Sequence, residues 1–220
     1  MPSSAPPALA ASHIVGKLST ERLGPYVSAC RGDDALALGL YRWNATASAG
    51  MHMCLGHVEV LMRNAMDAQL TAMSPIGPWY IILGPKLNAH AHEDVGKART
   101  RATMNGRSET QGRVVAELAF GFWRYLASPQ YHRTLWTPGL RRAFPGVPIG
   151  EASKTLGRLL DMRNRIAHHE PIHNRDLAAI HADGCRVARW VDGSAAAWIE
   201  QHCIVNKLID TAPPEATLGR

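Results

Sequence analysis

From Glu151 to His169 the chain reads EASKTLGRLLDMRNRIAHH, and this stretch decides the fold class. At about 100° per residue, Leu156, Leu159, Leu160 and Ala167 fall within one helical stripe, and no proline interrupts them. Pro171 closes the helix, since proline lacks the backbone donor and drives its predecessor out of helical geometry. With further helical segments on both sides and almost no alternating strand-like runs, the sequence predicts an all-α fold.

Toward the N-terminus, Val114 to Leu126 forms a strongly apolar helical run containing Phe120, Phe122 and Trp123, preceded by a turn at Asn105-Gly106 and a helical stretch around His92 to Thr103. Earlier still, Met51, Leu55, Val58, Met62, Ala65 and Gln69 recur at helical spacing and predict a long helix over 46–72, stopped by Ser74-Pro75 and Gly77-Pro78. Short helices are expected over 18–30, capped by Ser19 or Thr20, and over 35–43, capped by Asp33 or Asp34. On the C-terminal side, helices are expected over 175–191 and 194–209, while Pro129, Pro138, Pro145 and Pro148 cut the preceding segment into short pieces.

A chain of 220 residues, 46% hydrophobic and 19% charged, supports one well-buried core rather than a two-domain enzyme. The expected organisation is a flexible tail over 1–17, one helical domain over 18–210 and a second tail over 211–220. The four cysteines, Cys30, Cys54, Cys185 and Cys203, lie far apart without a C-x-x-C pair, which fits reduced thiols in a cytosol and suggests neither a zinc knuckle nor a disulfide framework. No apolar run approaches the length of a membrane span and the opening residues do not read as a signal peptide, so the expectation is a cytoplasmic protein without a membrane partner. The net charge of +6 leans toward a polyanionic partner.

The same helix carries the chemistry. Arg163 falls inside its apolar stripe, and a guanidinium there must find a partner or meet an anion, because an unpaired buried charge costs several kcal/mol. Asn164 and His168, four residues apart, share an adjacent face, so the amide can orient the imidazole. An arginine, an amide and a histidine are the groups that cleave RNA without metal: the histidine moves a proton while the arginine stabilises charge on the phosphorane. Equally, basic residues in a last helical turn are favourable simply because they oppose the macrodipole.

The stretch from Arg163 to Ile172, RNRIAHHEPI, resembles the signature of the Abi-like (abortive infection) family within the HEPN superfamily. Earlier segments are similar in the same order: Leu18 to Leu23 with Pro25-Tyr26, Leu40 to Asn44, Val58 to Ala65, Phe120 to Tyr125, and Leu135 to Pro145. The resemblance implies a HEPN helical bundle, a homodimer whose two arginine-histidine sets face each other, and a metal-independent endoribonuclease without a cofactor. It further implies a role in phage defence or as a toxin, with an antitoxin or regulatory RNA as possible partner. Arg163, Asn164 and His168 fit the pattern; His169 also fits the spacing, and His168 is preferred because Asn164 lies one turn before it. A non-catalytic helical RNA-binding or protein-interaction module on the same fold is the alternative.

His169-Glu170-Pro171-Ile172-His173 also satisfies H-E-x-x-H, but proline at its third position breaks the helix face that a zinc protease needs. Glu59, Arg63 and Asp67 are spaced for successive ion pairs; with Asn64, Glu59 and Arg63 recur in the resembled family as supporting residues. Arg141, Arg142, Arg158 and Arg165 belong to a cation-rich segment suited to RNA phosphates, with Trp136 and Phe144 interleaved as stacking or core residues. No Gly-rich phosphate loop is present, which disfavours nucleotide hydrolysis.

Overall fold

The computed structural model describes residues 8–219. Among them are eleven α-helices and no strand, as the periodicity requires. In chain order they are α1 (Ala8–Leu18), α2 (Thr20–Ala29), α3 (Asp34–Ala72), α4 (Trp79–Ile82), α5 (Ala89–Ala102), α6 (Gln111–Glu117), α7 (Phe120–Leu126), α8 (Ile149–Ala167), α9 (Leu177–Val191), α10 (Gly193–His202) and α11 (Val205–Asp210). No described helix is long and apolar enough to cross a membrane.

Two compact units emerge where one domain over 18–210 was expected. The first comprises the described residues up to Cys54, Met162–Ala182 and the described residues from Cys203 on; the second comprises Leu55–Asp161 and Asp183–His202. The reason lies in α3. Its 39 residues run from the first unit into the second, the boundary falling after Cys54.

The sequence suggested a break in α3 near Asn44, between helices over 35–43 and 46–72. No glycine or proline stops the chain there, and Asn44 does not cap. Its Oδ1 instead accepts from the backbone N–H groups of Ile172 (2.8 Å) and His173 (3.0 Å). Asp33 supplies the true N-cap, accepting from Ala35 and Leu36. Residues 8–17, expected as part of a tail, belong to α1, whose alanine-rich sequence favours helix and whose Val15 is buried; residues 1–7 lie outside the described residues.

Two other expected helices are each divided. The 114–126 run breaks at Leu118 and Ala119, both extended, so that α7 packs Phe120, Phe122 and Trp123 inward. The 194–209 run breaks at Cys203 and Ile204, between α10 and α11. Neither break contains a proline or glycine, so tertiary packing overrides local propensity at both.

In the first unit, Val15, Leu23, Tyr26, Cys30, Ala37 and Leu40 form the core, and Ala216 of the C-terminal segment packs against it. In the second, Trp79 lies 6.0 Å from Trp123 and 6.1 Å from Phe122 between ring centroids, and Phe144 stacks on Trp136 at 5.8 Å.

Candidate active site

The site is built on the way α8 ends. The N–H of Glu170 donates to the carbonyl of Arg165 (2.8 Å) and that of His169 to Ile166 (3.0 Å), the paired bonds of a Schellman motif. Such a motif needs a left-handed residue after the helix cap, usually glycine; here it is His169, with φ of 55°. The carbonyls of His168 and His169 then accept from the Arg22 guanidinium, which α2 brings to the helix end. A cation at a helix C-terminus is favourable twice over, satisfying orphan carbonyls and opposing the macrodipole.

Beyond this turn, Asn44 holds the backbone of Ile172 and His173. His173 is buried at 4% exposure against the Tyr26 ring, with centroids 5.0 Å apart. Both of its ring nitrogens and the Tyr26 hydroxyl lack a hydrogen-bond partner among the described residues. Burial pushes the imidazole pKa down, and burial and Tyr41 raise the Tyr26 phenol to about 12. His173 is therefore a neutral core residue, and the H-E-x-x-H stretch runs through a turn rather than along a helix face.

The fixed turn closes one end of a cleft of about 360 Å³, walled by Tyr26, Tyr41, Asn44, His52, Ile166 and His169, with small residues of α3 as its floor. A volume of this order suits a small polar ligand or one nucleotide unit. His169, not His168, contributes to the wall. No hydrogen bond among the described residues ties the Asn164 amide to the His168 imidazole; both side chains are exposed, so the orienting contact inferred from their spacing is not made.

Arg163 is half-buried on the face of α8 that carries Leu156, Leu159 and Ile166. The buried apolar positions are Ala152, Leu156, Leu159, Met162 and Ile166, with Ser153 and Thr155 buried beside them; Ala167 is exposed and Leu160 half-buried, so the apolar stripe is rotated from the expected one. The Arg163 Nε is nonetheless buried and without a hydrogen-bond partner. Arg165 pairs with Glu170 (2.8 Å), five residues further on and past the helix end.

The remaining candidates belong to the second unit. Arg158 does not offer a free fork for phosphate: its Nε and Nη2 engage Asp183 at 2.6 and 2.9 Å, a bidentate pair that raises its own pKa further. Arg141 and Arg142 are exposed beside a cleft of about 570 Å³ that includes His132 and Pro145 to Pro148. Trp136 and Phe144 also border this cleft, yet at 4% and 0% exposure they stack on each other as core rather than offering open faces to bases. Among the described residues no ion pair joins Glu59, Arg63 and Asp67; Asp67 instead accepts from Trp79 Nε1 (2.7 Å) and Gln111 (3.0 Å). The Arg63 Nε is buried without a hydrogen-bond partner, and Asn64 is exposed.

Sequence reasoning missed Arg22, His52 and the first half of α3 as parts of this site. Only the left-over polar character of Asn44 and His52 within an apolar helix signalled them. It also read the cysteines as mutually distant, whereas the fold gathers Cys54, Cys203 and His181. The Cys203 thiol is pushed down by hydrogen bonds from Cys54, His181 and the Val205 N–H, against the opposing effect of burial.

Neither a scan of protein-family models nor searches of curated proteins and solved structures find a match to this chain.

Proposed function

We propose that the chain is a metal-independent endoribonuclease of the HEPN type. The observation that carries this reading is the end of α8: a guanidinium with a buried, unanswered Nε followed five and six residues later by two histidines, one held in a left-handed conformation at the wall of a cleft. Strain and unpaired polar atoms are expensive, and they concentrate where chemistry is done.

In the reaction, His168 or His169 takes the proton of a ribose 2′-hydroxyl as its oxygen attacks the adjacent phosphorus. The bond to the 5′-oxygen breaks, that oxygen takes up a proton from water as it leaves, and the histidine gives its proton back to solvent. Arg163 stabilises the charge gathering on the phosphorane oxygens. His168 has the family spacing with Asn164, and His169 has the cleft. Two copies related by a two-fold axis would place two such sets along one RNA, with the exposed arginines contacting its phosphates. An antitoxin or regulatory RNA would then restrain the activity, and phage defence is the role that the resemblance favours.

Purified protein incubated with end-labelled RNA in excess chelator should yield fragments ending in a 2′,3′-cyclic phosphate. Products with 3′-hydroxyl ends, or activity abolished by EDTA and restored by magnesium, would refute the mechanism.

A second reading, a non-catalytic helical RNA-binding module, draws on Arg141 and Arg142, two exposed cations beside a cleft. It expects salt-sensitive RNA binding with no cleavage by any variant or parent.

A further inference from the structure

Cys54 lies on α3, His181 on α9, and Cys203 in the break between α10 and α11. Their ligand atoms all lie within 4.8 Å of one another. Cys54 is 1% exposed, His181 9% exposed and Cys203 half-buried. No disulfide links any of the four cysteines.

Three separate elements converge here, and the packing nearby is built to allow it. Gly50, one turn before Cys54, faces α11: a Cβ at that position would stand 2.5 Å from Leu208 Cδ1 and 3.2 Å from Ile204 Cγ1. Bare backbone at Gly50 thus lets the segment that follows Cys203 lie directly on α3. The break at Cys203 and Ile204, which no proline or glycine dictates, is what turns the Cys203 thiol into this corner.

We propose that Cys54, His181 and Cys203 form a site for one thiophilic divalent cation, zinc by preference, with water as its fourth ligand. Zinc bonds thiolate at about 2.3 Å and imidazole at about 2.0–2.1 Å, which sets tetrahedral ligand atoms about 3.5 Å apart. Ligand atoms already within 4.8 Å reach that spacing by closing about 1 Å, a side-chain adjustment. Binding releases the thiol protons to solvent, and two thiolates with a neutral imidazole cancel the charge of the ion, so the buried site carries no net charge. Sulfur and nitrogen donors without a carboxylate exclude magnesium and calcium as occupants. The site joins three elements of the first unit and takes no part in the ribonuclease step, so it stands independently of that reading.

The test is a cobalt titration of the full, metal-stripped chain under reducing conditions. One Co²⁺ per chain should bind with visible d–d bands of tetrahedral intensity and a thiolate-to-cobalt charge-transfer band, and Zn²⁺ should bleach both. Cys203→Ser and His181→Ala should each weaken binding by about 100-fold or more. Cys30→Ser, in the separate core of Val15, Leu23 and Tyr26, should leave the spectra unchanged. Zinc should also raise the Tm of the parent and not of Cys203→Ser, whose half-buried position makes it the safer variant if Cys54→Ser does not fold.

The proposal falls if the charge-transfer band is absent, if both variants bind like the parent, or if peptide mapping finds a Cys54–Cys203 disulfide while the reduced chain takes up no metal. A chain that binds cobalt in this way but leaves RNA intact keeps the site and loses only the ribonuclease; cleavage without cobalt uptake does the reverse.

Discussion

The two clefts differ in what borders them and in how firmly it is fixed. The larger, about 570 Å³, borders Arg141 and Arg142 but rests on Trp136 and Phe144, which are committed to the core. It offers exposed cations and one exposed histidine, His132. The smaller, about 360 Å³, has histidines on its walls and a backbone fixed by Arg22 and Asn44. Positive charge attracts a polyanion wherever it is exposed, whereas proton transfer needs a group held in place. The smaller cleft is the one whose bordering backbone is held.

The strongest way to break this contrast is to remove the groups at the end of α8. Arg163→Ala should lower the cleavage rate about 100-fold or more, the usual scale for deleting a charge-stabilising donor, and the double variant His168→Ala/His169→Ala should do the same. The single histidine variants sharpen it further. Loss in His169→Ala alone puts the chemistry in the cleft, and loss in His168→Ala alone puts it on the exposed side of the turn. Full activity in the folded double variant removes the site from this helix. Circular dichroism and thermal melts establish folding first.

Next in size is Asn44→Leu, which deprives two buried backbone N–H groups of their acceptor. It should cost about 2 kcal/mol or more in denaturant unfolding. An unchanged midpoint would mean that the turn after α8 is not held as described. In the larger cleft, Arg141→Ala with Arg142→Ala should weaken RNA binding several-fold and reduce the salt slope by about two, with the rate on bound RNA unchanged. A fall in that rate would erase the distinction between the clefts.

The smallest expected effect is on pH dependence. Burial lowers the His173 pKa in the folded chain, so the unfolded chain holds its proton more readily. Stability from this residue is therefore complete above the ordinary imidazole value of about 6.5 and is lost as pH falls below it. Unfolding of His173→Phe should show a shallower loss over the same range; identical slopes would count against a buried neutral imidazole.

Much of this was legible because it rests on periodicity. The helix over Met51 to Gln69, the caps at Ser19 and Asp33 and the close of α8 before Pro171 all follow from local chemistry. What escaped were places where distant residues outvote local ones. Asn44 reads as a helix boundary until its amide is seen holding Ile172, and Leu118 and Cys203 break helices without any breaker residue. At the site, the spacing of Arg163, Asn164, His168 and His169 was visible in the sequence. The partner Arg22 was not, since nothing local ties it to a helix end that follows so much later in the chain. Arg158 and Arg165 looked like open cations because their carboxylates, Asp183 and Glu170, could not be assigned from periodicity.

The left-handed histidine sets stability against use. Glycine at position 169 would relieve a backbone penalty of about 1 kcal/mol and give the Schellman turn its preferred residue. Under selection for a robust fold alone, the position should drift to glycine or asparagine. Under selection for cleavage through this cleft it should stay histidine and tolerate the penalty. Two libraries randomised at this one codon, one sorted for folded protein and one for activity, would therefore diverge there.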